Sequence, residues 1–180
     1  MILDTRETMK YSILPFVLII FTSCCSKKTL IAEPMSYHLE SNCPEDGTCT
    51  LVVLKNKKLN VLSDDLGSLY FSLSDNEATH VFHYQYKRNV PEDVQDGQHI
   101  EEVYFEINAN ETNLTIENEA LQQTKMIFGR HCYCKGQAGF FKVNSGTLQV
   151  KKTTAGFEIQ STFISKEVPQ IISSFSGTAK

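Results

Sequence analysis

Apolar and polar positions alternate along most of the chain. Leu69, Phe71 and Leu73 fall on one side of residues 68–74, with Tyr70 and Ser72 on the other. Phe82, Tyr84 and Tyr86 share a face with His80. Val103, Phe105 and Ile107 lie opposite Glu102, Tyr104 and Glu106. Leu148 and Val150 form one further apolar face, and Phe157, Ile159 and Phe163 another. A period of two marks half-buried strands. Asp64-Asp65-Leu66-Gly67 precedes the first of these runs, and Ser74-Asp75-Asn76-Glu77 is predicted to end it. Residues 90–97 make the longest polar loop, and Asn144-Ser145-Gly146 and Thr153-Thr154-Ala155-Gly156 read as tight hairpins. Residues 118–124 are the exception. Asn118 can cap, Glu119 suits a first turn and Leu121 is apolar, so a short helix is predicted ahead of a strand over 125–134. The spacing predicts an all-β fold, an antiparallel β-sandwich or barrel of about eight to ten strands with one short helix.

The N-terminus follows a different pattern. Residues 13–21 read I-L-P-F-V-L-I-I-F and lead into Thr22-Ser23-Cys24-Cys25-Ser26-Lys27-Lys28. Nine residues of helix span ~14 Å, against ~30 Å for a bilayer core. The run is too short for a membrane span and fits a signal-peptide core, with Lys10 supplying the positive flank. The first eight residues carry two acids, unusual for such a flank, which points to Met9 as the true start.

Ile20-Phe21-Thr22-Ser23-Cys24 resembles the lipobox of bacterial lipoproteins, with Phe21 where leucine is more usual. The resemblance implies lipid attachment to Cys24, cleavage before it and loss of residues 1–23. Residues 24–34 become a lipidated tether and 35–180 a single β domain. Acyl chains would hold the protein on a membrane, each buried CH₂ contributing ~0.8 kcal/mol. Residue +2 is Cys25 rather than the aspartate that retains lipoproteins at the inner membrane. Ser26-Lys27-Lys28 stands where an acidic surface-export run would be. The expected location is the cell envelope, at the outer membrane and facing the periplasm.

Composition supports a globular β body. The chain has 15 Thr, 13 Ile and 11 Val against 7 Ala, and branched side chains favour a pleated surface. Net charge is −4, and loss of residues 1–23 removes as many acids as bases. That balance argues against a nucleic-acid partner.

Six cysteines are present. With Cys24 lipidated and Cys25 in the tether, Cys43, Cys49, Cys132 and Cys134 are the disulfide candidates in an oxidising compartment. Were residues 125–134 all strand, Cys132 and Cys134 would have Cα atoms ~6.6 Å apart and parallel side chains, poorly placed for a direct bond. Either each pairs with Cys43 or Cys49, or Cys43 and Cys49 close the Pro44–Gly47 turn on themselves. Two cross-bridges are the expected arrangement. The competing reading is copper or zinc handling, or thiol redox chemistry, through Cys132 and Cys134, with His131 as a further ligand. Arg130 and Lys135 could stabilise a thiolate there. On a regular strand, however, His131 faces away from both cysteines.

His80 and His83 fall on opposite strand faces and read as structural residues. Asp64-Asp65 and Glu101-Glu102 read as solvated turns and edges. The tyrosines could line a cavity but more simply fill the core. No metalloprotease, nucleophile-elbow or phosphate-loop motif occurs. The chain is therefore expected to be non-enzymatic, with no cofactor. Its expected partners are the membrane, through the lipid, and a protein, glycan or small ligand bound by the β domain.

Overall fold

The computed structural model describes residues 37–39 and 43–180. The expected signal peptide, residues 1–23, and the expected tether, residues 24–34 with Cys24 and Cys25, lie outside the described residues. Ten strands follow in order: β1 Tyr37–Leu39, β2 Gly47–Ser63, β3 Leu69–Arg88, β4 His99–Asn108, β5 Asn113–Glu117, β6 Ile127–Cys132, β7 Gly139–Lys142, β8 Gly146–Thr153, β9 Gly156–Phe163 and β10 Ser174–Ala179. They form two five-stranded sheets, β1-β10-β9-β8-β5 and β2-β3-β4-β6-β7. Each pairing is antiparallel. The sheets face each other over one core, where Phe82, Tyr84, Phe105 and Phe128 meet Phe157, Phe163 and Phe175. Tyr84 stacks on Phe175 at 4.4 Å between centroids, and Phe157 meets Phe82 edge-on at 5.2 Å. The alternation predicted from sequence places Phe82, Tyr84, Phe105, Phe157 and Phe163 on the inner faces, and Phe82, Tyr84 and Tyr86 fill the core.

The second sheet also closes on itself. β3 pairs with β4 along its second half, and its first residue, Leu69, pairs with Phe140 of β7. The circuit β3-β4-β6-β7 is a small closed barrel, so the fold is both sandwich and barrel. Closure depends on a bend in the long β2–β3 hairpin. The register jumps from Lys55↔His80 to Lys57↔Asp75, leaving one residue of β2 opposite four of β3. Such a bulge bends the ladder and sharpens its twist. Asn56, at φ 57°, donates its N–H to His80 Nδ1 at 3.2 Å, and the Thr79 hydroxyl donates to the Lys57 carbonyl at 2.8 Å. The polar Ser74–Glu77 segment was predicted to separate two strands. It is instead the outer side of this bend, because β2 supplies ladder partners on both sides of it. The bent arm covers the second face of its own sheet, and Leu59, Val81, Tyr104 and Ile127 form a separate barrel core.

Three further expectations change. Residues 118–124 form a 3₁₀ turn, but Asn118 does not cap it. Its side-chain oxygen accepts the Gly146 N–H at 3.2 Å instead. Residues 144–146 are not a hairpin, since β7 and β8 belong to different sheets and the chain crosses between them there. Gly146 sits at φ 136°, and a Cβ there would run into the Thr162 carbonyl oxygen. The cross-bridge expectation is also corrected. Both disulfides are local, Cys43–Cys49 and Cys132–Cys134. The strand ends at Cys132, so Cys134 lies in the following turn and the two Cα atoms come within 5.2 Å. The fully extended backbone that argued against direct bonding is absent.

The β9–β10 connection is held by a buried charge. Glu101, facing the sandwich core, accepts the N–H groups of Ile171 and Ile172, each at 2.8 Å to Oε2. His99 Nε2 lies 3.0 Å from Oε1. Replacing Glu101→Ala should strand these donors in a buried site. The expected loss is roughly 3 kcal/mol of unfolding free energy, the order found when a buried charged hydrogen-bond partner is removed. Urea denaturation of the variant beside wild type measures it.

Candidate functional site

β4 lies between β3 and β6 and is covered on both faces. Its alternation directs Glu101 into the sandwich and Glu102 into the barrel. Both carboxylates are buried, which corrects the reading of this pair as a solvated edge. A central strand with two covered faces has no solvated edge to offer. Each carboxylate must then find donors inside the protein.

Glu102 finds them in two histidines. His83 Nε2 lies 2.8 Å from Oε2 and His131 Nε2 lies 2.8 Å from Oε1. The Tyr104 hydroxyl adds a 3.3 Å contact to Oε2. The three strands bring these groups into line because His83 pairs with Tyr104 in one ladder, and Glu102 pairs with Gly129 in the next. His83 stacks flat on Tyr104 at 4.1 Å. His131 meets Phe140 edge-on at 5.2 Å, and Phe71 packs on both Tyr104 and Phe140. Gly129 makes room for the cluster. A Cβ there would stand 2.5 Å from Phe140 Cε1 and 2.9 Å from Glu102 Cγ.

The cluster is graded from dry to wet. The Glu102 side chain is 11% exposed, His83 20% and His131 40%. Burial opposes ionisation of Glu102, but hydrogen bonds from His131 and His83 and their charges outweigh it. The carboxyl is brought down to about 2. Burial and the adjacent Glu102 carboxylate push the Tyr104 hydroxyl the other way, well above the usual phenol range. Glu102 is thus a fixed carboxylate that orients two imidazoles at the mouth of an aromatic barrel. Both rings use Nε2 for it. Among the described residues, neither Nδ1 has a protein hydrogen-bond partner, and neither ring is bonded to a Ser, Thr or Cys side chain. The arrangement can donate or accept protons and hydrogen bonds toward a bound molecule.

Two grooves flank this mouth. One, of about 660 Å³, follows the β3–β7 seam past Leu69 and Phe140. The other, of about 390 Å³, is lined by Asp96, Gln98, Ile100, His131, Cys132 and Tyr133.

The residues singled out from sequence are only partly assembled here. His131 belongs to the site, through Glu102 rather than through the cysteines. Cys132 and Cys134 are bonded to each other. Among the described residues, no three His, Cys, Asp or Glu side chains converge as a metal site. His80 and His83 do face opposite sides. His80 packs edge-on to Phe157 in the sandwich, while His83 joins the cluster. Sequence reasoning missed Glu102 and His83 as a pair. Their usable signal was an acid and a histidine on the outward-facing positions of strands whose inner positions are apolar. Comparison of the chain with protein-family models, curated proteins and solved structures finds no match.

The Glu102 carboxyl is depressed in the folded state, so its contribution to stability is present above the ordinary value of 4.5 and is lost as pH falls toward about 2. Melting temperature should therefore drop through that acid window in wild type. Glu102→Gln should flatten the drop. Parallel slopes for the two proteins in thermal scans from pH 6 to pH 2 would refute the assignment.

Proposed function

We propose that the chain is a membrane-anchored bacterial envelope lipoprotein whose β domain is a non-enzymatic binding module. The observation that carries this reading is Ile20-Phe21-Thr22-Ser23-Cys24 at the end of a nine-residue apolar run. Two local disulfides in the β domain suit an oxidising compartment outside the cytoplasm. Among the described residues, no helix is long and apolar enough to cross a membrane, so in this reading acyl chains on Cys24 provide the attachment. The expected location is the outer membrane, facing the periplasm.

The binding surface is the barrel mouth. His83 and His131 present polar atoms beside Phe71, Tyr104 and Phe140. A few oriented polar groups against aromatic walls are the usual makings of a ligand site. Neither histidine activates a neighbouring hydroxyl or thiol among the described residues, which favours binding over nucleophilic catalysis. The ligand class is a protein, a glycan or a small molecule. Tethering to a membrane plane raises the local concentration of the domain over that surface.

Metabolic labelling with an alkyne fatty acid tests the anchor. Wild type should incorporate label and fractionate with membranes. Cys24→Ala should lose the label and accumulate as full-length precursor. Label retained on the Cys24→Ala protein would refute the lipoprotein reading.

A further inference from the structure

The two disulfides occupy different settings. Cys49 is 6% exposed and belongs to the sandwich core, so Cys43–Cys49 is part of the packed body. Cys132–Cys134 belongs to neither core cluster. It straddles Tyr133, which is 84% exposed, at the end of β6. Beyond it the chain turns through Lys135 and Gly136, closed by the Gln137 N–H on the Cys134 carbonyl at 3.1 Å. A bond between residues two apart restricts the unfolded chain little, so stability alone is a weak reason for it.

Its neighbours are chemically suited to a thiolate. Cys132 pairs with His99 in the β4–β6 ladder, and Arg130 pairs with Glu101. Directly opposed residues hold their Cβ atoms about 4.5–5.5 Å apart on the same face. His99 is itself oriented by Glu101, with Nε2 at 3.0 Å from the carboxylate. Cys132 therefore stands across from an imidazole fixed by a carboxylate, with the Arg130 guanidinium two residues away on the same face. An oriented base beside a sulfur is the general arrangement for activating a thiol. A groove of about 390 Å³ lies on the Cys132 side of the bond, lined by Cys132 and Tyr133.

We propose that Cys132–Cys134 is a thiol–disulfide exchange site that oxidises pairs of cysteine-type thiols. A substrate thiolate attacks Cys134 Sγ, half-buried just before the exposed residues 135–138. The Cys132–Cys134 bond breaks, a mixed disulfide forms on Cys134, and Cys132 leaves as a thiolate beside His99 and Arg130. A second substrate thiolate then attacks the substrate sulfur of the mixed disulfide and releases Cys134. Two substrate thiols become one disulfide, and the two electrons and two protons end on Cys132 and Cys134. This chemistry is independent of the lipid anchor and survives its failure.

The test uses the oxidised full chain in buffers of graded glutathione redox poise, followed by acid quench, alkylation and peptide mass mapping. Cys132 and Cys134 should become alkylated in step with the poise, while Cys43–Cys49 stays closed and the far-ultraviolet dichroism is unchanged. Simultaneous opening of both bonds with loss of the β signal would overturn the proposal, as would a Cys132–Cys134 bond that stays closed throughout. In the reduced wild-type chain, Cys132 should react with iodoacetamide at pH 6.5 about tenfold faster than Cys134. Equal rates would overturn the choice of Cys132 as leaving thiol. Two substrate arms separate the thiol sources. Faster oxidation of a reduced dithiol peptide than of glutathione identifies a polypeptide substrate, and the reverse identifies a small thiol. Oxidation of neither overturns the activity.

Discussion

Two buried carboxylates and a third, partly buried one on a single central strand organise this molecule. β4 is covered by the opposite sheet on one face and by the bent β2–β3 arm on the other, and it carries Glu101, Glu102 and Glu106. A charge removed from water must be matched by donors, or the fold is lost. Each glutamate is matched by a different part of the chain. Glu101 takes backbone N–H groups from the β9–β10 connection. Glu102 takes His83 and His131 from the flanking strands. Glu106 takes the Leu59 N–H at 2.5 Å and Lys125 Nζ at 2.7 Å. The same lysine also bonds the Leu59 carbonyl at 2.9 Å. The last pair satisfies the backbone of β2 and holds the bent arm over the barrel, so the carboxylates act as pins between segments distant in sequence.

The site follows from this pinning. Because Glu102 lies under the arm, it is dry enough for its hydrogen bonds to be strong. Because the arm ends before it reaches His131, one imidazole remains at the surface. A single strand thus supplies a buried anchor and a wet rim. On its opposite face the same strand places His99 and Glu101 across the ladder from Cys132 and Arg130. The proposed binding mouth and the proposed exchange disulfide lie on two faces of one strand pair, β4 with β6. They share the groove past His131 and Cys132.

Much of the body was legible in the residue pattern. The inner faces of β3, β4, β8 and β9 were readable because a strand alternates whatever its partners are. The turn at Gly156 and the short helical turn after Glu117 were readable because local backbone preferences decide them. The disulfide pairing was not. It turned on whether β6 extended to Cys134 or stopped at Cys132, and strand ends depend on ladder partners. The burial of Glu101 and Glu102 was misread for a related reason. Two adjacent acids look like an edge until both faces of their strand are known to be covered.

Sequence alone therefore determined the all-β class and the side of β3, β4, β8 and β9 that meets the core. It also supplies the N-terminal pattern behind the lipoprotein reading. These are properties of short windows, where sterics and periodicity act over a few residues. Tertiary structure decided that a sandwich also closes into a barrel, that Ser74–Glu77 bends rather than ends a strand, and that Glu102 sits between His83 and His131. Those outcomes depend on pairings between residues tens of positions apart. No local preference encodes such pairings, and only the simultaneous burial and hydrogen-bonding of the whole chain selects them.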